Sequence, residues 1–218
     1  MATGSGYHEA MTFAAAERRR LAALLLEKGP QAPTLCEGWQ ALDLAAHLYI
    51  REHRPDAAAG MFVPALSGHL DTITSRVKQR GLEKVVNAWA AGPPRWNPMR
   101  YLDRLVNTAE NFVHLEDLRR GGGEVKQRDF SQSVDDELWA LLGRLAPMFL
   151  GKSKKPVVLI APGRQPIVCA RGRGVATQGD DVVRVSGTPG ELVLWVYGRE
   201  KVEVEINGDE SAIRRSSV

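Results

Sequence analysis

The sequence has 218 residues, of which 44% are hydrophobic and 25% charged, with a formal net charge of +3 at pH 7. Those proportions are ordinary for a soluble globular protein and leave room for one large domain or two modest ones. The positive charge is spread along the chain, and its densest cluster, Arg18-Arg19-Arg20, falls inside a helical pattern where a solvated face accounts for it, so no nucleic-acid partner is required.

Residues 8–28 are rich in Ala, Leu and Glu and predict a first helix, stopped by Gly29-Pro30. After the connector QAPTLCEGW, residues 40–53 predict a second helix, with Leu44, Ala45 and Leu48 as its apolar stripe, Asp43 near its positive end and Pro55 marking its close. Residues 64–80 and 82–92 give two further helical patterns, the latter closed by Gly92-Pro93-Pro94. A rigid loop, PPRWNP, leads to a long helix over 100–120 that ends at three glycines. Ser133, with Asp136 three residues on, reads as the cap of a last helix to about 150, which Pro147 should kink or shorten. The polar segment 151–156 then marks a change of character. PVVLIAP, PIVCARG and DVVRVSG read as strands, Thr188-Pro189-Gly190-Glu191 starts a short helix, KVEVEI is a final strand, and SAIRRSSV a loose tail. The expectation is an α+β chain, with a helical domain over 7–150 and a small α+β domain over 157–210.

The longest apolar runs, 21–26 and 157–162, are far short of a membrane span. Cys36 and Cys169 belong to no C-x-x-C pattern, and the N-terminus has no basic region followed by an apolar run. A cytoplasmic protein without a secretory signal is the expectation.

Glu110 and His114, four apart on the long predicted helix, return to one face and read either as two metal ligands or as an ordinary helical pair. Of the other histidines, His47 lies between Leu44 and Leu48, near the buried stripe, and is the best third ligand, although a single histidine on an apolar face is more often a satisfied core residue than a ligand. His53 reads as a helix-end residue, and His8 and His69 have no acidic partner at helical spacing.

Three segments, in order, carry a resemblance. They are Pro33-Thr34, Cys36-Glu37-Gly38-Trp39, Asp43-Leu44 and His47-Leu48; then Glu110, His114 and Asp117 as E-x-x-x-H-x-x-D; then the run from Gly187 to Arg199. Together they resemble the mycothiol-dependent maleylpyruvate isomerase family, a branch of the DinB-like metal-binding bundles. The resemblance implies a DinB-like four-helix bundle followed by a small α+β domain. It implies a divalent metal held by His47, Glu110 and His114, with zinc first and nickel, cobalt or iron also compatible with two imidazoles and a carboxylate. Asp117 would orient a ligand or pair with Arg119 or Arg120 on the surface. Arg199 falls where an arginine of the C-terminal domain contributes to the isomerase site, and its planar fork suits a substrate carboxylate; a solvated helix-end arginine is the alternative. The segment between the two metal helices departs from the maleylpyruvate enzymes and points to a distinct subgroup, so their substrate is not transferred.

The implied activity is a metal-dependent thiol S-transferase or isomerase acting on a small-molecule thiol, such as mycothiol, and an electrophile. A metal-dependent hydrolase is the first alternative. A non-catalytic metal-binding regulatory protein is the second, and Glu37 or Asp43 as a fourth ligand would favour it, since structural zinc sites lack an open position. Cys36 and Cys169 read as packed residues and not as nucleophiles, Trp39 and Trp195 as core anchors, and Trp96 as a candidate pocket wall. The oligomeric state stays open, a monomer included.

Overall fold

The computed structural model describes residues 11–94, 104–170 and 181–216. His8, Trp96 and the predicted helix starts at 8 and 100 lie outside the described residues. The chain forms two compact units, Met1–Leu118 and Arg119–Val218. Among the described residues there are eight α-helices and one four-stranded sheet, an α+β architecture. None of those helices is long and apolar enough to cross a membrane.

In the first unit, α1 spans Phe13–Lys28, with the Thr12 hydroxyl accepting from the Ala15 N–H at 3.3 Å and Gly29 at φ 79° closing it. The left-handed φ is why glycine stands there. Helix α2 spans Ala41–His53 and opens with the Asp43 carboxylate accepting from the Gln40 N–H at 3.0 Å. A single-turn helix, α3 (Pro55–Ala58), follows directly, its Pro55 at the first helical position. The predicted helix over 64–80 begins as a 3-10 turn at Pro64–Leu66, and α4 proper runs over Ser67–Lys78. Helices α5 (Leu82–Ala90) and α6 (Arg104–Arg120) complete the series.

Helix α2 packs on α4 and α5, and α1 packs on α5. The core joins Leu21 and Leu25 of α1 to Leu44, Leu48 and Ile50 of α2, Trp89 of α5, and Leu115 and Leu118 of α6. Burying each of the larger side chains contributes about 1.5–3 kcal/mol before the entropy of ordering. One polar knot sits inside: the Trp89 indole donates to Glu52 Oε1 at 3.2 Å, while Arg18 pairs with Glu52 and lies 4.6 Å from the Trp89 ring centroid.

In the second unit, α7 spans Gln132–Leu150. Its cap is Ser131 and not the predicted Ser133, which is the second residue of the helix; the Ser131 carbonyl takes the first amides, from Val134 and Asp135. Pro147 does not shorten it. The helix continues to Leu150, with Ala146, Phe149 and Leu150 buried, so apolar packing holds the last turn. Strands β1 (Val157–Ile160), β2 (Ile167–Cys169), β3 (Val183–Gly187) and β4 (Val204–Asn207) lie in the order β2-β1-β3-β4. The β1–β3 pair is parallel, with Val157 opposite Val183, and the others are antiparallel. Helix α8 (Pro189–Val196) is buried along its whole length and packs on α7.

The predicted loose tail is not loose: Ala212 is buried, the Lys154 N–H donates to its carbonyl at 2.8 Å, and Arg215 donates to the Trp195 carbonyl at 3.0 Å. Arg120 and Glu191 form a buried pair, each side chain 2% exposed, with contacts of 2.9 and 2.6 Å between their paired N and O atoms. Arg120 also donates to the Lys201 carbonyl, and the Glu203 N–H donates to Glu191, so both charges are solvated by protein.

Candidate metal centre

Two helices of the first unit present the candidate ligands. On α2, the neighbours Leu44, Ala46 and Leu48 are buried, and His47 emerges beside them with its side chain 21% exposed. On α6, Glu110 and His114 occupy successive turns, at 13% and 10% exposure. Glu110 Oε2 lies 3.9 Å from His47 Nε2 and 3.5 Å from His114 Nε2. The two imidazole centroids are 5.4 Å apart, one edge toward the other. One ligand atom from each of His47, Glu110 and His114 falls within 4.8 Å of the rest.

Donors placed about 2.05 Å from a tetrahedral zinc are about 3.3 Å from one another. The 3.5 and 3.9 Å separations therefore need only small side-chain rotations to enclose a first-row divalent ion, and the donor set of two nitrogens and one oxygen is chemically suited to one. Glu37 and Asp43, the candidate fourth ligands, are in neither of the ligand groups found among the described residues. Asp43 is paired with Lys78 at the start of α2.

Around this set lies a second layer. Asp117 is fully buried, and its Oδ2 accepts from His114 Nδ1 at 2.9 Å. That bond fixes the ring tautomer and leaves Nε2 directed at Glu110. Asp117 is buried, and so does not lie on the helix surface where a pairing with Arg119 or Arg120 was the alternative. The Cys36 thiol, half-buried in the connector before α2, donates to the same Asp117 oxygen at 3.3 Å. Trp39 rests on the core as anticipated and also packs its ring 5.1 Å from that of His47.

Sequence reasoning missed three residues here. Arg51 Nη1 lies 2.9 Å from Glu110 Oε2, and Arg51 Nη2 donates to Asn107 Oδ1 at 2.8 Å. The signal was available: Arg51 follows His47 by four residues and Asn107 precedes Glu110 by three, the spacings that share a helix face. Cys36 carried no such signal, because a connector has no periodicity.

The electrostatics are tightly linked. Burial pushes the His47 pKa down, only partly offset by its contact with Glu110. Burial alone would raise Glu110, but the two histidines and the Arg51 charge hold its carboxyl well below the usual range. Burial would likewise depress His114, yet Asp117, Cys36 and Glu110 around it raise it well above the usual histidine value. Without a cation, His114 thus carries the positive charge that the flanking carboxylates demand. A metal ion and that proton compete for the same place.

Arg199 belongs to the second unit, just past α8, where its Nη1 donates to the Tyr197 carbonyl at 2.7 Å. Trp195 is buried in α8. His53 stacks on Tyr49, and His69 finds an acidic partner from outside its own helix, Asp56, at 3.0 Å.

No family model matches the sequence, and no curated protein does either. Solved structures do match. One is the crystal structure of the mycothiol-dependent maleylpyruvate isomerase, at 16% identity and a TM-score of 0.55, covering 94% of this chain and 95% of that one. Another is a variant of that enzyme with one histidine replaced by alanine, at 16% identity and a TM-score of 0.53 over the same shares of both chains. From its helical first unit through its small sheet, this chain has the fold of the mycothiol-dependent maleylpyruvate isomerase.

Proposed function

We propose that the protein is a divalent-metal-dependent thiol transferase or isomerase that takes mycothiol as its thiol, with the metal held by His47, Glu110 and His114 in a DinB-like four-helix bundle. The observation that carries this reading is the convergence of two imidazoles and one carboxylate from α2 and α6 within 4.8 Å. The likeness of fold to a mycothiol-dependent isomerase supports it. Zinc is the ion the set suits first, with nickel, cobalt and iron as alternatives. When bound, such an ion supplies a Lewis acid that favours the thiolate form of a thiol substrate.

The chain's own residues then have separable tasks. Asp117 holds the proton at His114 Nδ1 and so presents Nε2. Arg51 places a positive charge against Glu110 and fixes that carboxylate relative to α2. Arg199 is assigned to an anionic group of the substrate, for which a guanidinium offers a bidentate fork.

The test begins with metal analysis of protein purified without an affinity tag, comparing wild type with His47→Ala and Glu110→Ala. About one equivalent more in wild type than in either variant establishes the triad. Turnover of an electrophile only in the presence of mycothiol then establishes the activity class. Turnover with the thiol omitted would move the assignment to metal-dependent hydrolysis. Failure of wild type to bind zinc, nickel, cobalt or iron after reconstitution would overturn the proposal.

A further inference from the structure

A second set of soft and hard donors meets at the other nitrogen of the His114 ring. Cys36 Sγ, His114 Nδ1 and an Asp117 carboxylate oxygen all lie within 4.8 Å of one another. Asp117 Oδ2 is 3.3 Å from Cys36 Sγ and 2.9 Å from His114 Nδ1. Donors on a tetrahedral zinc with one thiolate stand about 3.4–3.6 Å apart. These two separations would have to open by a few tenths of an ångström to admit zinc.

The backbone builds this arrangement deliberately. The Leu35 N–H donates to the Asp117 carbonyl at 3.0 Å, which ties the Cys36 turn to the residue that carries the carboxylate. Thr34 Oγ1 accepts from the Cys36 N–H at 3.1 Å and donates to the Trp39 carbonyl at 2.9 Å. An antiparallel bridge between Pro33 and Gln40 closes the loop at its base. Cys36 is therefore positioned by main-chain contacts at both ends of its loop, as a ligand in a preorganised site is.

We infer that Cys36, His114 and Asp117 form a second cation site, suited to thiophilic divalent ions such as zinc or cadmium. Thiolate selects softer ions than the nitrogen and carboxylate donors of the first set. An ion entering here displaces the thiol proton and the proton on Nδ1 to solvent, and the thiolate and carboxylate together balance its two positive charges. The site shares His114 with the first set, through Nδ1 in place of Nε2, but needs neither His47 nor Glu110, so the inference stands whether or not the first set holds a metal.

The probe is cadmium alone, titrated into full-length protein while the ultraviolet thiolate-to-cadmium charge-transfer absorption is followed. Wild type, Glu110→Gln and Cys169→Ser should each develop the band to a full equivalent. Cys36→Ser should show none, and Asp117→Asn should need at least tenfold more cadmium. Circular dichroism verifies that the variants are folded. Should Cys36→Ser not fold, peptide mapping after treatment with a thiol reagent replaces it: cadmium should protect Cys36 in wild type. Absence of the band in wild type, an undiminished band in Cys36→Ser, or equal labelling of Cys36 with and without cadmium would overturn the site. A cadmium band in wild type, together with failure of Cys36→Ser to bind zinc, nickel, cobalt or iron, leaves this site standing while the proposed activity falls. No band in wild type, with metal bound in Cys36→Ser and lost in Glu110→Gln, overturns this site and leaves the proposed activity standing.

Discussion

Replacing Asp117 with asparagine should weaken zinc binding at the His47–Glu110–His114 set by an amount that depends on pH. The amide oxygen can still accept from His114 Nδ1, so the ring stays in place while the charge is lost. Removing such an outer partner typically costs 10–100-fold in metal affinity, or about 1.4–2.7 kcal/mol. A second effect opposes it. Asp117 is one of the groups that hold the His114 pKa well above the usual value, and zinc must displace that proton. In Asp117→Asn the proton leaves more easily, so below the raised wild-type pKa the variant suffers less competition. The loss should therefore be full above the raised His114 pKa and clearly smaller at about pH 6. Competition titrations against a chromophoric zinc chelator, run at several pH values, measure both curves. A loss that is the same at every pH, or larger in acid, would refute the idea that Asp117 acts through the His114 proton.

The same titrations bear on stability. In the ion-free protein the raised His114 contributes stability that is fully present below its ordinary value of 6.5 and is lost as pH rises through the folded value. The depressed Glu110 contributes above its ordinary 4.5 and is lost as pH falls through its folded value, while the depressed His47 costs stability as pH falls below 6.5, so ion-free protein should be most stable near pH 6.5. Added zinc should move that optimum to higher pH in thermal melts; an unchanged profile would count against metal–proton competition. Arg51→Met should bind zinc about tenfold more tightly by isothermal titration, since it removes a cation 2.9 Å from Glu110 that competes with the ion for the same carboxylate. Weaker binding would show that Arg51 chiefly orients the carboxylate. Arg120→Met should destabilise the second unit by about 3–5 kcal/mol in urea unfolding, because it strands the Glu191 charge; adding Glu191→Leu should recover most of that. A cost below about 1 kcal/mol for the single variant would contradict the buried-pair reading.

Much of this was legible from the sequence because it is local. A helix of Ala, Leu and Glu stopped by Gly29-Pro30, a strand such as KVEVEI, and the pairing of Glu110 with His114 each follow from periodicity over a few residues, which the backbone itself imposes. Capping was less so. Ser131 and Ser133 are both competent caps, and the choice depends on where the chain enters the helix. Pro147 was read by its intrinsic cost, whereas buried side chains on the last turn outweigh it.

The site divides the same way. His47 belongs with Glu110 and His114 only because α2 and α6 face one another, which no spacing within either helix specifies. Position alone did not say that Asp117 would be buried against His114, since several faces lie within reach of one side chain. Cys36 meets Asp117 across 81 residues of chain. Contacts of that kind form when separate elements pack, and the sequence by itself determined the elements and their ligand types, while only tertiary packing could determine which of them share an atom.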